Sequence, residues 1–244
     1  MNRGITELKN MARENLHGSL FGFIQAFVIC NLIVTLVEMP FSFIIDKDTL
    51  SPQNMIYLVA IILITIASVV LTVGQYCLHL RVARKEKVYF KELYYPLMHD
   101  ANRLIITEAI LFVLELLATL PAFASLAIVY FFDDFHMLLL ALVLSIVGCI
   151  LTLWVSVTFK MVYFVLIDDE ELSVKNAFKQ TLALIKGHKV RFLYLELSFI
   201  GSYLLVLLTL GIAMLWVQPY IMHTTTLFYL DIKGELDKIL KPAE

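Results

Sequence analysis

Acidic side chains inside long apolar stretches are the residues of this sequence that could do chemistry. Glu108 and Glu115 lie seven residues apart in one such stretch, so a helix presents both on one face. A charge at the centre of a bilayer costs at least about 2.5–3.5 kcal/mol and marks a functional or paired group. Glu115 lies roughly 16 Å into its stretch, near the bilayer midplane. We interpret it as a protonatable or cation-binding group.

Other polar residues within apolar stretches extend this pattern into a candidate polar path through the membrane. They are Asn31, Glu38, His79 and Glu196. Asn31 and Glu38 lie seven residues apart and share one face of a helix in the first stretch. The alternative is that Glu115 is neutral and holds the bundle together through a hydrogen bond to a neighbouring helix.

Signatures of catalysis are absent from the sequence. It contains no GxxxxGK[ST] phosphate loop, no HExxH, no GxSxG and no GxGxxG. The acidic run 168–171 resembles a metal site, but acids before a helix are favoured by the helix dipole, and we interpret the run as the lead-in to a helix. We therefore expect no enzyme activity, no cofactor and no metal.

The amino-acid composition indicates that much of this chain faces lipid and not water. Hydrophobic residues make up 60% of the 244 residues and charged residues 16%, whereas soluble domains have about 45–50% and about 25%. So many apolar side chains cannot all be buried in one globule, which excludes a water-soluble domain. The net charge of −2 gives no basic field for nucleic acid.

Apolar runs predict the transmembrane helices, each of which needs roughly 20 residues. Five runs reach that length: 18–45, 55–80, 104–132, 137–167 and 192–230. As one helix the last run would be nearly 60 Å long, about twice the hydrocarbon thickness. We expect it to fold back into two short spans, with Gly211 after Thr209 as the best hinge, and the alternative is a single kinked or re-entrant pair. The prediction is an all-α polytopic membrane bundle of about six helices, forming a single domain over 1–244.

Basic residues predict the orientation of this bundle. If both termini are cytoplasmic, 18 of the 19 lysines and arginines lie on the cytoplasmic side, and Lys47 alone lies opposite, with Asp46, Asp48, Asp133 and Asp134. Such asymmetry is the positive-inside pattern, and it requires an even number of spans.

Three segments next to the membrane entries have apolar residues at helical spacing and basic residues on the other face. Their apolar sets are Ile5, Leu8, Ala12 and Leu16; Phe90, Leu93, Tyr94, Leu97 and Met98; and Val174, Ala177, Phe178, Thr181 and Ile185. Interfacial helices have this pattern, and their basic faces suit anionic lipid headgroups. The chain could thus consist of three helix-plus-hairpin units near 1–80, 81–167 and 168–232. The alternative is that these are ordinary juxtamembrane segments.

A resemblance to a known family adds to this interpretation. It rests on Gly187-His188-Lys189, Leu197-Ser198-Phe199-Ile200-Gly201, Leu208-Thr209-Leu210-Gly211-Ile212, Trp216, Pro219-Tyr220 and Phe228-Tyr229. These residues resemble the bacterial integral-membrane family known as domain of unknown function 975. The resemblance implies a multi-pass protein of the bacterial plasma membrane and carries no activity or ligand.

The quoted residues lie on the predicted fold-back. There we predict a conformationally special centre made by Thr209, Gly211, Pro219 and Tyr220, with Pro219 breaking the sixth helix. The alternative is that these residues only shape the bundle.

Two functions follow as hypotheses. The first is a non-enzymatic accessory or scaffold component of envelope stress, export or resistance, which acts through a membrane-protein partner or a homo-oligomer. The second is a small carrier for a cation, a proton-coupled solute or a lipid, which uses Glu115 and the broken sixth helix.

Overall fold

The fold is described by a computed structural model over residues 3–43, 51–99, 101–132 and 134–240. In these ranges every regular element is a helix, as predicted. The long helices are α1 (Ile5–Leu16), α2 (Leu20–Ser42), α3 (Pro52–Ala83), α5 (Ala101–Phe131), α6 (Phe135–Phe159), α8 (Val174–Ile185) and α11 (Met214–Ile232). The short ones are a 3₁₀ helix (Phe90–Tyr94), α4 (Tyr95–His99), α7 (Val162–Asp168), α9 (Lys189–Leu197), α10 (Ile200–Leu208) and α12 (Leu236–Leu240).

Five helical segments are long and apolar enough to cross a membrane, which confirms the polytopic helical bundle. They are Leu20–Ser42, Pro52–Ala83, Ala101–Phe131, Phe135–Asp168 and Lys189–Leu208. The predicted sixth, α11, is too polar by composition because it carries Gln218, His223 and Asp231. It is instead the most buried helix of the bundle, with every residue from 221 to 231 buried.

The predicted fold-back is found at the expected residues. Helix α10 ends at Leu208 and α11 begins at Met214. Between them Leu210 and Gly211 adopt φ angles of 51° and 93°, the left-handed region that glycine reaches without steric cost. Arg191 of α9 contacts Asp231 of α11, so α9–α10 and α11 form an antiparallel hairpin.

Pro219 does not break the sixth helix, contrary to the prediction. It lies inside α11, which continues from Met214 to Ile232. Proline here removes one backbone hydrogen bond, and the buried packing of the following turns holds the helix together. The interruptions of this region lie elsewhere, at residues 198–199 between α9 and α10 and at the turn before Met214.

Small residues bring α5 and α6 close together. A Cβ added to Gly148 of α6 would lie 2.9 Å from the Cβ of Ala122 on α5. One turn away, the Ser125 and Ser145 hydroxyl oxygens are 2.7 Å apart and share a hydrogen bond. Close helix contacts in membranes use small side chains in this way.

The first and last described helices lie at the same end of the bundle. Arg3 donates to Asp237 across 2.6 Å. At this end Arg84, which follows α3, also pairs with Glu235, which follows α11. The even number of membrane crossings stays a prediction, since five of the described helical segments meet the criteria for a span. Lys47 and three of the four acidic residues assigned to the opposite side, Asp46, Asp48 and Asp133, lie outside the described residues.

Two of the three amphipathic segments form single α-helices with buried apolar faces. In α1, Leu8, Ala12 and Leu16 are buried, and the helix packs along α11. In α8, Ala177, Thr181 and Ile185 are buried. The apolar faces of α1 and α8 are thus covered by the protein itself.

The middle segment differs from the predicted single helix. It forms the 3₁₀ helix and then α4, because Pro96 has no N–H and fits only the first turn of a new α-helix. Within it Leu93 is fully buried, whereas Met98 is 79% exposed. The division of the chain into three repeated units stays a prediction.

Candidate functional site: a charged cavity between three helices

A cavity of about 260 Å³ lies between helices that are able to cross a membrane, and it is here called the intramembrane cavity. Three helical segments build it: α3, α5, and α6 with its continuation α7. Its lining residues are Thr65, Ser68, Val69, Thr72, Tyr76, Glu108, Leu111, Glu115, Val155, Ser156, Phe159, Lys160 and Tyr163. The cavity therefore contains two carboxylates, one ammonium group and six hydroxyl groups.

Helical periodicity places these side chains on helix faces that border the cavity. Ser68, Thr72 and Tyr76 are spaced by four residues and lie on one face of α3. Glu108 and Glu115 lie two turns apart on α5, as the sequence predicted. Glu115 is 14 residues from the start of α5, about 21 Å along the helix axis.

Glu108 is held by a neighbouring helix. The Tyr163 hydroxyl of α7 donates to its Oε2 atom. The Glu108 side chain is half-buried, and its contact with Tyr163 joins α5 to α7. Glu108 thus has a structural partner as well as a place in the cavity wall.

Glu115 and Lys160 have no such partner. Within the parts of the chain that the structure describes, neither side chain makes a hydrogen bond or an ion pair. Lys160 interacts electrostatically with Tyr76, Glu196, Tyr203 and Glu115. Both residues are exposed, so the cavity is open at these two charges. Opposite charges at membrane depth therefore remain available to a bound molecule.

Glu196 adds a third carboxylate beside the cavity. It lies on α9, interacts electrostatically with Lys160 and Tyr203, and is half-buried. Its Oε1 atom is buried without a hydrogen-bond partner among the described residues. A buried acceptor without a partner costs about 1–3 kcal/mol, which a ligand, water or proton would recover.

The other three residues of the predicted polar path lie away from the cavity. Asn31 faces outward from α2, where its side-chain amide donates to the Phe27 carbonyl. Glu38 lies near the outer end of α2 and is not in the cavity lining. His79 is not in the cavity lining and contacts His223 of α11 instead. Glu108, Glu115 and Glu196 therefore lie at or beside the cavity, whereas Asn31, Glu38 and His79 do not, and the polar path itself stays a prediction.

His79 belongs to a buried histidine pair. Its Nδ1 atom is 3.3 Å from Nδ1 of His223 on α11, a distance for one hydrogen bond in which either ring is the donor. Phe23 of α2 stacks on the His79 ring with centroids 4.0 Å apart. Both histidines are at most 1% exposed. This pair holds α2, α3 and α11 together.

Lys160 and Tyr163 line the cavity, and the sequence reasoning did not include them in the candidate site. They follow α6 at a spacing of three residues, so the chain presents both to one side. Lys160 was counted with the cytoplasmic basic residues because it lies near a charged connection. The sequence did contain a signal for the position of Lys160, since the apolar run 137–167 continues past this residue and places it inside the predicted span.

The predicted helix-break centre is divided between two places. Thr209 stabilises the turn, since its hydroxyl donates to the Leu205 carbonyl and accepts from the Ala213 amide at 3.0 Å. Gly211 lies in that turn. Pro219 and Tyr220 lie further along, within α11, and Tyr220 faces α1, where Arg13 lies over its ring. The four residues do not form one site.

The acidic run 168–171 makes structural contacts. Asp168 accepts hydrogen bonds from Arg84, Lys233 and Tyr229. The Arg103 guanidinium donates to backbone carbonyls of this loop, including Leu172 at 3.1 Å. Within the described ranges, no group of three or more His, Cys, Asp or Glu side chains could hold a metal ion.

Comparison with known proteins gives one match. The sequence model of the family described as protein of unknown function (DUF975) matches residues 1–235. No curated protein and no solved structure matches the chain.

Proposed function

This chain belongs to the family described as protein of unknown function (DUF975), and from the geometry of its intramembrane cavity we propose that it is a small membrane carrier. Five apolar helices can cross a membrane, and the cavity lies among three of them. The proposal includes a location in the plasma membrane of a bacterium. A carrier makes and breaks no covalent bond, so the proposed role is non-enzymatic.

The unpaired charges of Glu115 and Lys160 carry this proposal. A carboxylate that only held helices together would make a hydrogen bond to a neighbouring helix. Glu115 makes none among the described residues, whereas Glu108 does. Leaving an unpaired charge at membrane depth is costly, and a polar ligand that binds there removes the cost.

The arrangement of charges defines the class of ligand. Glu115 would bind a positive group and Lys160 a negative group, while the hydroxyls of Ser68, Thr72 and Ser156 offer neutral hydrogen bonds. A compact zwitterion, such as an amino acid or the headgroup of an amine-bearing lipid, matches all of these groups.

Compounds that copurify with the protein test this proposal. Wild type, Glu115→Gln and Glu38→Gln are purified from their own membranes in mild detergent, and bound small molecules are identified by mass spectrometry. Glu38 is the matched control, because it is also an acid in a membrane helix but lies outside the cavity lining. A zwitterion retained by wild type and Glu38→Gln and lost from Glu115→Gln supports the carrier. The same compounds on all three proteins contradict it.

A second function, as an accessory component that binds a partner, is favoured by α8. Its apolar face is buried in the bundle, whereas Lys175, Lys179 and Lys186 are exposed. This basic face suits an acidic partner or anionic lipid. Affinity isolation from native membranes, with and without these lysines, tests that role. A stoichiometric partner that is lost with the lysines supports it, and isolation of the chain alone in both cases contradicts it.

A further inference from the structure

A second cavity lies where α1 ends and α2 begins, and it shares no lining residue with the intramembrane cavity. It measures about 490 Å³ and is here called the corner cavity. Helices α10 and α11 close its other side. Gly18 forms the corner between α1 and α2 with a φ of 97°, which favours glycine.

Five described residues give the corner cavity its polar lining, and each of their side chains can donate a hydrogen bond. These residues are Arg13, His17, Ser202, Trp216 and Tyr220. The lining contains no carboxylate. Several donors around one space, with at least one full positive charge, match an anion with several oxygen atoms.

The side chains of these donors make no ion pair and no hydrogen bond of normal geometry among the described residues. Arg13 lies over the Tyr220 ring, 5.5 Å from its centroid, and is also close to the buried Tyr220 hydroxyl. Arg3, which precedes α1, pairs with Asp237, and Lys9 of α1 donates to the Ser198 carbonyl. Arg13 therefore has no acidic partner among the described residues.

The remaining wall of the cavity is apolar and lies at a membrane entry. Leu16, Leu20 and Val217 line it. Leu20 is the first residue of α2, a helix able to cross a membrane. Trp216 is half-exposed beside it, as tryptophans at membrane–water interfaces are. A ligand here meets donors on one side and hydrocarbon on the other.

We propose that the corner cavity binds the phosphate group of an anionic phospholipid. Arg13 forms the charge-assisted hydrogen bonds to the phosphate, with His17, Ser202 and the Tyr220 hydroxyl completing its coordination. The acyl chains lie against Leu20 and the lipid-facing side of α2. A soluble phosphate ester offers the same anionic group but leaves the apolar wall unused.

Fluorescence of Trp216 measures this binding directly. The chain has two tryptophans, so Trp154→Phe leaves Trp216 as the reporter. This background protein, in detergent without added lipid, is titrated with short-chain phosphatidylglycerol, with phosphatidylcholine of the same chain length, and with glycerol phosphate. A saturable response that is at least tenfold tighter for phosphatidylglycerol than for the other two is expected.

Variants of Arg13 assign the response to the cavity. Arg13→Gln should weaken binding of phosphatidylglycerol at least tenfold, and Arg13→Lys should weaken it less. Lys87→Gln is the control, because Lys87 is exposed between α3 and the 3₁₀ helix and lies outside the cavity lining, and it should leave binding unchanged. Equal affinity in Arg13→Gln overturns the proposal, and so does equal binding of phosphatidylcholine. Glycerol phosphate that binds as tightly as the lipid overturns the lipid assignment.

A filled cavity provides a second test that keeps Arg13. Ser202→Leu places an apolar side chain in the space from α10 and should abolish the saturable response, while the thermal melting temperature shows whether the variant is folded. Unchanged binding in folded Ser202→Leu overturns the proposal. Because the two cavities share no residue, the carrier proposal can fail or stand independently.

Discussion

The carbonyl oxygen of Leu93 occupies the position that a side chain on Gly74 would need. A Cβ built on Gly74 would lie only 2.0 Å from this oxygen and 2.9 Å from the carbonyl carbon. Both atoms belong to the backbone, so no side-chain rotation relieves the clash. The contact holds the buried 3₁₀ helix of residues 90–94 against the middle of α3.

Gly74→Ala should therefore lower stability by about 1–3 kcal/mol, because α3 and the 3₁₀ helix must move apart. The measurement is thermal unfolding in detergent, followed by circular dichroism. Gly22→Ala in α2 is the matched control, since a Cβ there meets no atom within 4 Å. It should be neutral or stabilising, because alanine favours helix. An equal melting temperature for Gly74→Ala and wild type would contradict the contact.

The lowered pKa of Glu235 predicts that the stability of the folded protein depends on pH. Its hydrogen bond with the Arg84 guanidinium, helped by Lys233, holds the pKa of this carboxyl below the ordinary value of 4.5. The folded state thus binds this proton less tightly than the unfolded state. Its stabilising effect is complete above about pH 4.5 and is lost as the pH falls through the folded pKa.

Glu235→Gln should remove that part of the pH dependence. The variant should be less stable than wild type at pH 7, and the difference should shrink as the pH falls below 4.5, because wild type then also loses the charge. Unfolding measured between pH 3 and pH 7 checks this. A constant difference over the whole range would show that Glu235 acts through packing alone.

Helix positions in this protein could be predicted from the sequence because they depend on local patterns. The lengths of the apolar runs predicted the membrane helices. Gly211 predicted the turn, where it adopts a left-handed conformation. These features need only the periodicity of one segment at a time.

The composition of the site depended on the packing of several segments and could be predicted only in part. Glu108 and Glu115 were found together because they share one helix. Whether His79 faces them or faces His223 depends on the rotation of α3 against two neighbours, which no local pattern records. Lys160 was missed because basic residues near a connection were assigned to the membrane surface.

Tyr163→Phe tests the structural role of Glu108. The variant removes the hydroxyl that donates to Glu108 and leaves a half-buried carboxylate without this partner, so stability should fall by about 1–3 kcal/mol. Glu108→Gln keeps a side-chain oxygen that accepts from Tyr163 and should cost less. A double-mutant cycle that combines Tyr163→Phe with Glu108→Ala, which removes the acceptor, should give a coupling of at least about 0.5 kcal/mol. Additive effects of these two changes would mean that the two side chains do not interact.

Glu115→Gln separates transport from packing, because Glu115 makes no hydrogen bond or ion pair among the described residues. The variant should keep the wild-type melting temperature, whereas a carboxylate that bonded helices together would lower it when replaced. In proteoliposomes, uptake of a radiolabelled mixture of amino acids down its own concentration gradient should fall at least tenfold in Glu115→Gln and in Lys160→Gln. Glu38→Gln should retain uptake, since Glu38 lies outside the cavity. Uptake by Glu115→Gln equal to that of wild type would exclude Glu115 from the carrier mechanism, and a lower melting temperature with unchanged uptake would assign it to packing.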